Sequence, residues 1–140
     1  MGASLVVGVW MLTLSCYDLR QRRLPNWLTL PGAALVLLVA ALVGRGCTAA
    51  AGSAALGGLY LLVHLTNSKA MGGGDVKLAM GLGALSGTFG AQVWMLAAIA
   101  APLLTATYAI AALVFWKERT VPHGPSMCLS TAAAVALALR

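Results

Sequence analysis

Only three side chains in this sequence of 140 residues carry a carboxyl group: Asp18, Asp75 and Glu118. The two aspartates sit in suggestive surroundings. Asp18 opens Asp18-Leu19-Arg20-Gln21-Arg22-Arg23-Leu24-Pro25-Asn26, and Asp75 follows three glycines in Gly72-Gly73-Gly74-Asp75-Val76-Lys77. Brought together, two carboxyl groups resist joint ionisation and share one proton. One then acts as base to a water while the other, protonated, polarises a scissile carbonyl, and the pair titrates as a unit. Lys77 and the arginines after Asp18 favour ionisation, whereas burial opposes it. The chemistry needs no metal and no cofactor.

Each aspartate also has a plainer reading. Asp18 can pair with Arg22 four residues on, if the helix extends that far. Asp75 can cap a helix beginning at Val76. Both can simply solvate a membrane interface. A cap alone would not need three glycines, which allow backbone conformations and close approaches denied to other residues. Pro25 suits a helix start or the turn before it, and Asn26 can cap the second apolar run. Other nucleophile schemes have less to offer. His64 lies inside an apolar run, and His123 precedes Cys128 by five residues with no orienting acid nearby. The cysteines Cys16, Cys47 and Cys128 are odd in number and form no C-x-x-C pair, against a zinc site or a disulfide framework.

The elements that must position the aspartates are membrane helices. The chain is 61% hydrophobic and 9% charged, with a mean hydropathy of +0.91; soluble domains carry about a quarter charged residues. Apolar runs give six spans, roughly 3–17, 27–43, 48–65, 76–89, 92–116 and 126–139, which predicts an all-α polytopic protein forming one membrane-embedded domain over 1–140. The first, fourth and sixth runs are short against the roughly 17–25 residues of a crossing, and the fourth is the weakest. The first run lacks a charged n-region and reads as a retained helix. The net charge of +6 sits in short loops without aromatic platforms, so nucleic acid is excluded as a partner.

Seven of the nine basic residues, Arg20, Arg22, Arg23, Lys69, Lys77, Lys117 and Arg119, fall in or beside alternate loops, with Arg45 and Arg140 opposite. The positive-inside rule makes the first set cytoplasmic and both termini extracytoplasmic. Asp18 and Asp75, 57 positions apart, then share one membrane depth on the cytoplasmic side. Trp10, Trp27, Trp94 and Trp116 read as interfacial or lipid-facing, Lys77 as a headgroup anchor or a tuner of the pair, and the small residues around Gly52, Gly57 and Gly58 as close-packing positions.

Gly72-Gly73-Gly74-Asp75-Val76-Lys77 resembles the G-x-G-D-x-K motif of the bacterial type IV prepilin peptidases. Asp18 to Asn26 is similar to that family's D-x-x-x-x-x-I-P-N stretch, with leucine for isoleucine, and Val121-Pro122-His123-Gly124-Pro125 to its P-F-G-P entry to the last helix, with His123 for phenylalanine. The resemblance implies an intramembrane aspartic endopeptidase of the plasma membrane. In it, Asp18 and Asp75 are catalytic, and Gly72, Gly74, Lys77, Pro25 and Asn26 support the substrate cleft. The implied partners are prepilin or pseudopilin precursors of pilus or type II secretion systems, with membrane lipid around the bundle and homo-oligomerisation left open. Without the paired cysteines of the bifunctional relatives, the chain resembles the short peptidase-only form. A proton- or cation-coupled transporter and an inactive assembly factor are the alternatives, although a transporter favours acids near the bilayer midplane.

Overall fold

Six α-helices carry the apolar runs in the computed structural model, which describes residues 2–69, 71–117 and 121–140. They are α1 (Gly2–Gln21), α2 (Asn26–Leu42), α3 (Gly46–Thr66), α4 (Gly73–Thr88), α5 (Ala91–Phe115) and α6 (Gly124–Ala138). By length and composition, α3 and α5 are long and apolar enough to cross a membrane, and α2 and α6 are shorter apolar helices. Their outward residues are large and oily: Leu38 and Leu42 on α2, Ile110 and Val114 on α5, Leu129 and Leu137 on α6 are all more than half exposed. Such a surface fits hydrocarbon, and helices satisfy their own backbone there. No buried side-chain polar atom lacks a partner among the described residues. The chain is a helical membrane protein.

The connections alternate between the two ends of the bundle. Residues of the α1–α2, α3–α4 and α5–α6 connections surround one cleft, and those of the α2–α3 and α4–α5 connections surround a smaller one. The charge asymmetry therefore matches a physical end: Arg22, Arg23 and Lys69 line the first cleft, and Arg45 the second. Glu118 and Arg119 lie outside the described residues.

The fourth and weakest apolar run is central to the bundle. Helix α4 packs against α2, α3, α5 and α6, and Val76, Leu78, Ala79, Gly81, Leu82, Gly83, Ala84, Ser86 and Gly87 are buried along it. A helix surrounded by helices meets little lipid, so it needs small residues more than a long apolar run. Its closest partner is α3. A Cβ on Gly83 would stand 2.5 Å from the Gly52 carbonyl oxygen, and one on Gly87 would stand 2.7 Å from that of Thr48. Close approach through small residues drives helix pairing where no hydrophobic gain between helices exists.

Two tryptophans depart from the interfacial expectation. Trp10 donates from Nε1 to the Leu28 carbonyl at 2.9 Å, and Trp94 to the Gly52 carbonyl at 3.0 Å. Both rings pack on the inner cluster, where an indole N–H needs a buried acceptor. Trp27 and Trp116 are about two-thirds exposed.

The glycine seam makes a direct prediction. Gly83→Ala should cost about 1–3 kcal/mol by overpacking, read as an earlier thermal unfolding transition in micelles. Gly58→Ala, whose Cβ would meet open space, should match or exceed the native transition.

Candidate active site

Helix α1 ends just past its carboxylate. Arg22 takes the left-handed conformation at φ 50° and donates its N–H to the Asp18 carbonyl at 2.9 Å. Helix α1 thus stops at Gln21. Asp18 is 6% exposed. Its Oδ2 accepts the N–H of Gly124, the first residue of α6, at 2.9 Å. This is an unpartnered helix N-terminus meeting an anion, a favourable match of charge and dipole. The approach requires glycine, because a Cβ at 124 would stand 2.6 Å from Asp18 Oδ2.

Asp75 sits in the first turn of α4, which begins at Gly73 with Gly72 as N-cap. The expectation that Asp75 caps a helix starting at Val76 is therefore wrong by about three residues. Glycine conformational freedom is not what the run supplies either. Gly72 is ordinary extended backbone at φ −74°, ψ 150°, and the positive-φ glycines among the described residues are Gly44 and Gly90. Gly74 serves by close approach, since a Cβ there would stand 3.1 Å from the Leu24 Cβ. That contact seats the start of α4 on the Leu24-Pro25-Asn26 corner. Gly72 acts through its backbone, hydrogen bonding to the Asp75 carboxylate.

The corner itself differs in detail from expectation. Pro25 occupies the N-cap position of α2, and its carbonyl accepts from the Leu28 and Thr29 N–H groups. Asn26 does not cap, because it is already the first helical residue. Its Oδ1 accepts from Lys77 Nζ at 2.7 Å, so the lysine reaches across to the first motif. His64 contributes a second tie: its Nδ1–H donates to the Met71 carbonyl at 2.7 Å and holds the entry to the glycine run.

Asp18 and Asp75 line one cleft of about 560 Å³. It is shared by Arg22, Arg23, Leu24, Asn26, Lys69, the glycines 72–74, Val121, Pro122 and His123. Both carboxyl groups lie just beyond the apolar stretches of their helices. Burial raises Asp18 above the usual carboxylate range, and the Gly124 N–H pulls it back. Burial also raises Asp75, the nearby charge of Asp18 raises it further, and the Gly72 N–H partly offsets both, leaving it at about 6. Burial and mutual repulsion act together here. Like charges in one cleft make ionisation of both carboxyl groups costly.

Three residues at the cleft escaped the sequence reading. Gly124 was legible only as part of a Pro-His-Gly-Pro turn. Tyr60 and Thr105 come from the middle of apolar runs, and nothing in their spacing marks them. They bind the two ring nitrogens of His123: Tyr60 Oη lies 2.9 Å from Nε2, and Thr105 Oγ1 contacts Nδ1. With both nitrogens engaged, His123 has none left to activate Cys128, and the thiol–imidazole scheme falls away.

A family model described as the type IV leader peptidase family matches residues 5–110, a stretch that contains both aspartates. Comparisons with curated proteins and with solved structures give no match.

The raised Asp75 has a consequence for stability. The folded state holds this proton more tightly than the unfolded chain, so its contribution is complete below about pH 4 and is lost as the pH rises through about 6. Asp75→Asn removes that penalty. Its thermal transition should exceed the native one at pH 8, by a margin worth about 1–2 kcal/mol, and approach it at pH 4.

Proposed function

Because the chain belongs to the type IV leader peptidase family, we propose that it is an intramembrane aspartic endopeptidase that removes the leader from prepilin or pseudopilin precursors. The observation that carries this reading is the meeting of Asp18 and Asp75, from two distant motifs, in one water-accessible cleft. A proton shared unequally between them is what carbonyl hydrolysis asks of a carboxyl pair. One aspartate, ionised, takes a proton from water as the water attacks the scissile carbonyl. The other, protonated, donates to the carbonyl oxygen as negative charge develops there. Collapse of the tetrahedral intermediate returns a proton to the leaving amine, and the pair is restored.

The cleft lies at the end of the bundle that gathers Arg22, Arg23 and Lys69, and by the positive-inside rule we assign that end to the cytoplasmic face. All six helices then span the plasma membrane, residues 1–140 act as one peptidase unit, and both termini are extracytoplasmic. Gly72 holds the Asp75 carboxylate through its N–H. Gly74 and Leu24 seat α4, and Lys77 with Asn26 and Pro25 braces the first motif against the second. A precursor cut at this depth would present the junction between its leader and its apolar helix.

Co-expression with a pilin-like precursor, followed by immunoblot, tests the reaction. Asp18→Asn and Asp75→Asn should each reduce processing at least a hundredfold at normal membrane levels, and full processing by either variant would refute the paired-acid mechanism. Gly124→Ala, which pushes on the Asp18 carboxylate, should reduce processing at least tenfold, whereas Gly72→Ala, with no atom nearer than 4.0 Å to the new Cβ, should retain most of it. Orientation has its own test. Cys47, exposed at the opposite end, should react with a membrane-impermeant maleimide in intact cells.

A further inference from the structure

His123 stands where the resembled motif has phenylalanine, and its imidazole is the hub of a directed hydrogen-bond relay. Thr105 Oγ1 donates its only proton to the Ala101 carbonyl at 3.0 Å. Toward His123 it can only accept, so Nδ1 carries the ring proton. Nε2 of the neutral ring is then an acceptor, and the Tyr60 O–H donates to it at 2.9 Å. Every proton in the series Tyr60, His123, Thr105, Ala101 has one direction. The relay ties the α5–α6 turn to α3 and α5 immediately before Gly124, whose N–H meets Asp18 Oδ2.

We propose that His123 is a positioning residue whose two hydrogen bonds hold the Gly124 N–H on Asp18, making Asp18 the ionised base and leaving the shared proton on Asp75. This assignment of roles rests on the peptidase reading, but the relay itself does not. Without the ties, the turn relaxes, the Gly124 N–H leaves Oδ2, and the preference for charge on Asp18 shrinks. Burial lowers the imidazole pKa from its ordinary value, which favours the neutral ring that the relay needs. A phenylalanine at this position would fill the space but anchor nothing.

Among the described residues, charged and titratable groups face the pair from several helices. Asp18 faces Asp75 on α4 and Cys128 on α6. It shares the cleft with Arg22 and Arg23 after α1 and with Lys69 before α4. Tyr60 on α3 is close enough to feel the charge of Asp75.

The composition supplies the experiment. With only two aspartates in the chain, protein labelled with 13C at the aspartate carboxyl and placed in lipid nanodiscs gives two titrating signals, assigned with Asp18→Asn and Asp75→Asn. In the native protein, the Asp18 signal should titrate at lower pH than that of Asp75. His123→Phe should move the Asp18 midpoint up by about one pH unit, the scale of weakening one hydrogen bond to a charged group. Tyr60→Phe and Thr105→Val, which delete single hydroxyl contacts and keep the shape, should each move it by about half as much. These two carry the test if His123→Phe does not fold. His123→Asn, whose amide can still donate to Thr105, should recover part of the shift. A merely structural role would lower stability or signal without moving the midpoint.

An Asp18 midpoint unmoved within about 0.2 pH unit (well under half of the smaller expected shift) in folded Tyr60→Phe and Thr105→Val overturns the inference, as does a native titration with Asp75 ionising first. Precursor cleavage measured against pH is read separately, and the acid limb should follow the Asp18 midpoint. If the native protein cleaves no precursor yet the midpoints shift, the peptidase reading fails and the relay stands. If cleavage depends on both aspartates yet no midpoint moves, the relay fails and the peptidase reading stands.

Discussion

The carboxylate of Asp18 against the first N–H of α6 is the contact on which the charged end of the bundle depends. It joins the first helix to the last across 106 positions of sequence, at a place where even one methyl group would intrude. A helix N-terminus otherwise leaves its early N–H groups without partners, and a buried carboxylate otherwise lacks donors. Each group answers the other's need. Because the bond stabilises charge on one aspartate, it adds to the burial that already raises the second. Architecture and acid–base behaviour thus share one origin at this site.

Around that contact, the two motif segments are locked by unlike means. Steric fit seats Gly74 against Leu24, and a lysine-to-amide hydrogen bond reaches from Lys77 to Asn26. Two histidines hold the remaining walls of the cleft from opposite sides, His64 through a backbone carbonyl and His123 through two hydroxyls. A cleft open to water cannot rely on apolar packing alone. Directed bonds from polar side chains fix its walls while leaving it open.

Much of this was visible in the residues themselves. Six apolar runs foretold six helices, and alternating loop charge foretold which connections would meet. The two aspartates drew attention because acids are so scarce in this chain and their flanks so specific. What stayed hidden was of another kind. The burial of α4 follows from how neighbours surround it, which a hydropathy run cannot express. Trp10 and Trp94 turned inward because carbonyls on α2 and α3 await them, a fact of tertiary geometry. The glycines before Asp75 suggested backbone freedom, whereas Gly74 is needed for proximity and Gly72 offers an N–H. Tyr60 and Thr105 look like any hydroxyl residues in apolar helices until His123 arrives between them.

The glycine seam between α3 and α4 has a mechanical consequence. Two helices whose backbones meet with no room for a methyl cannot slide past each other by a turn, as more loosely interleaved helices can. Helices α3 and α4 therefore form a keel that carries Asp75, Tyr60 and His64 as a fixed set. Asp18 arrives on a different helix: α1 packs on α6 and is tied to α2 by the Trp10–Leu28 hydrogen bond and the Tyr17–Trp27 ring contact. Asp75 is therefore seated on the interlocked pair, and Asp18 is brought to the same cleft by a helix outside it.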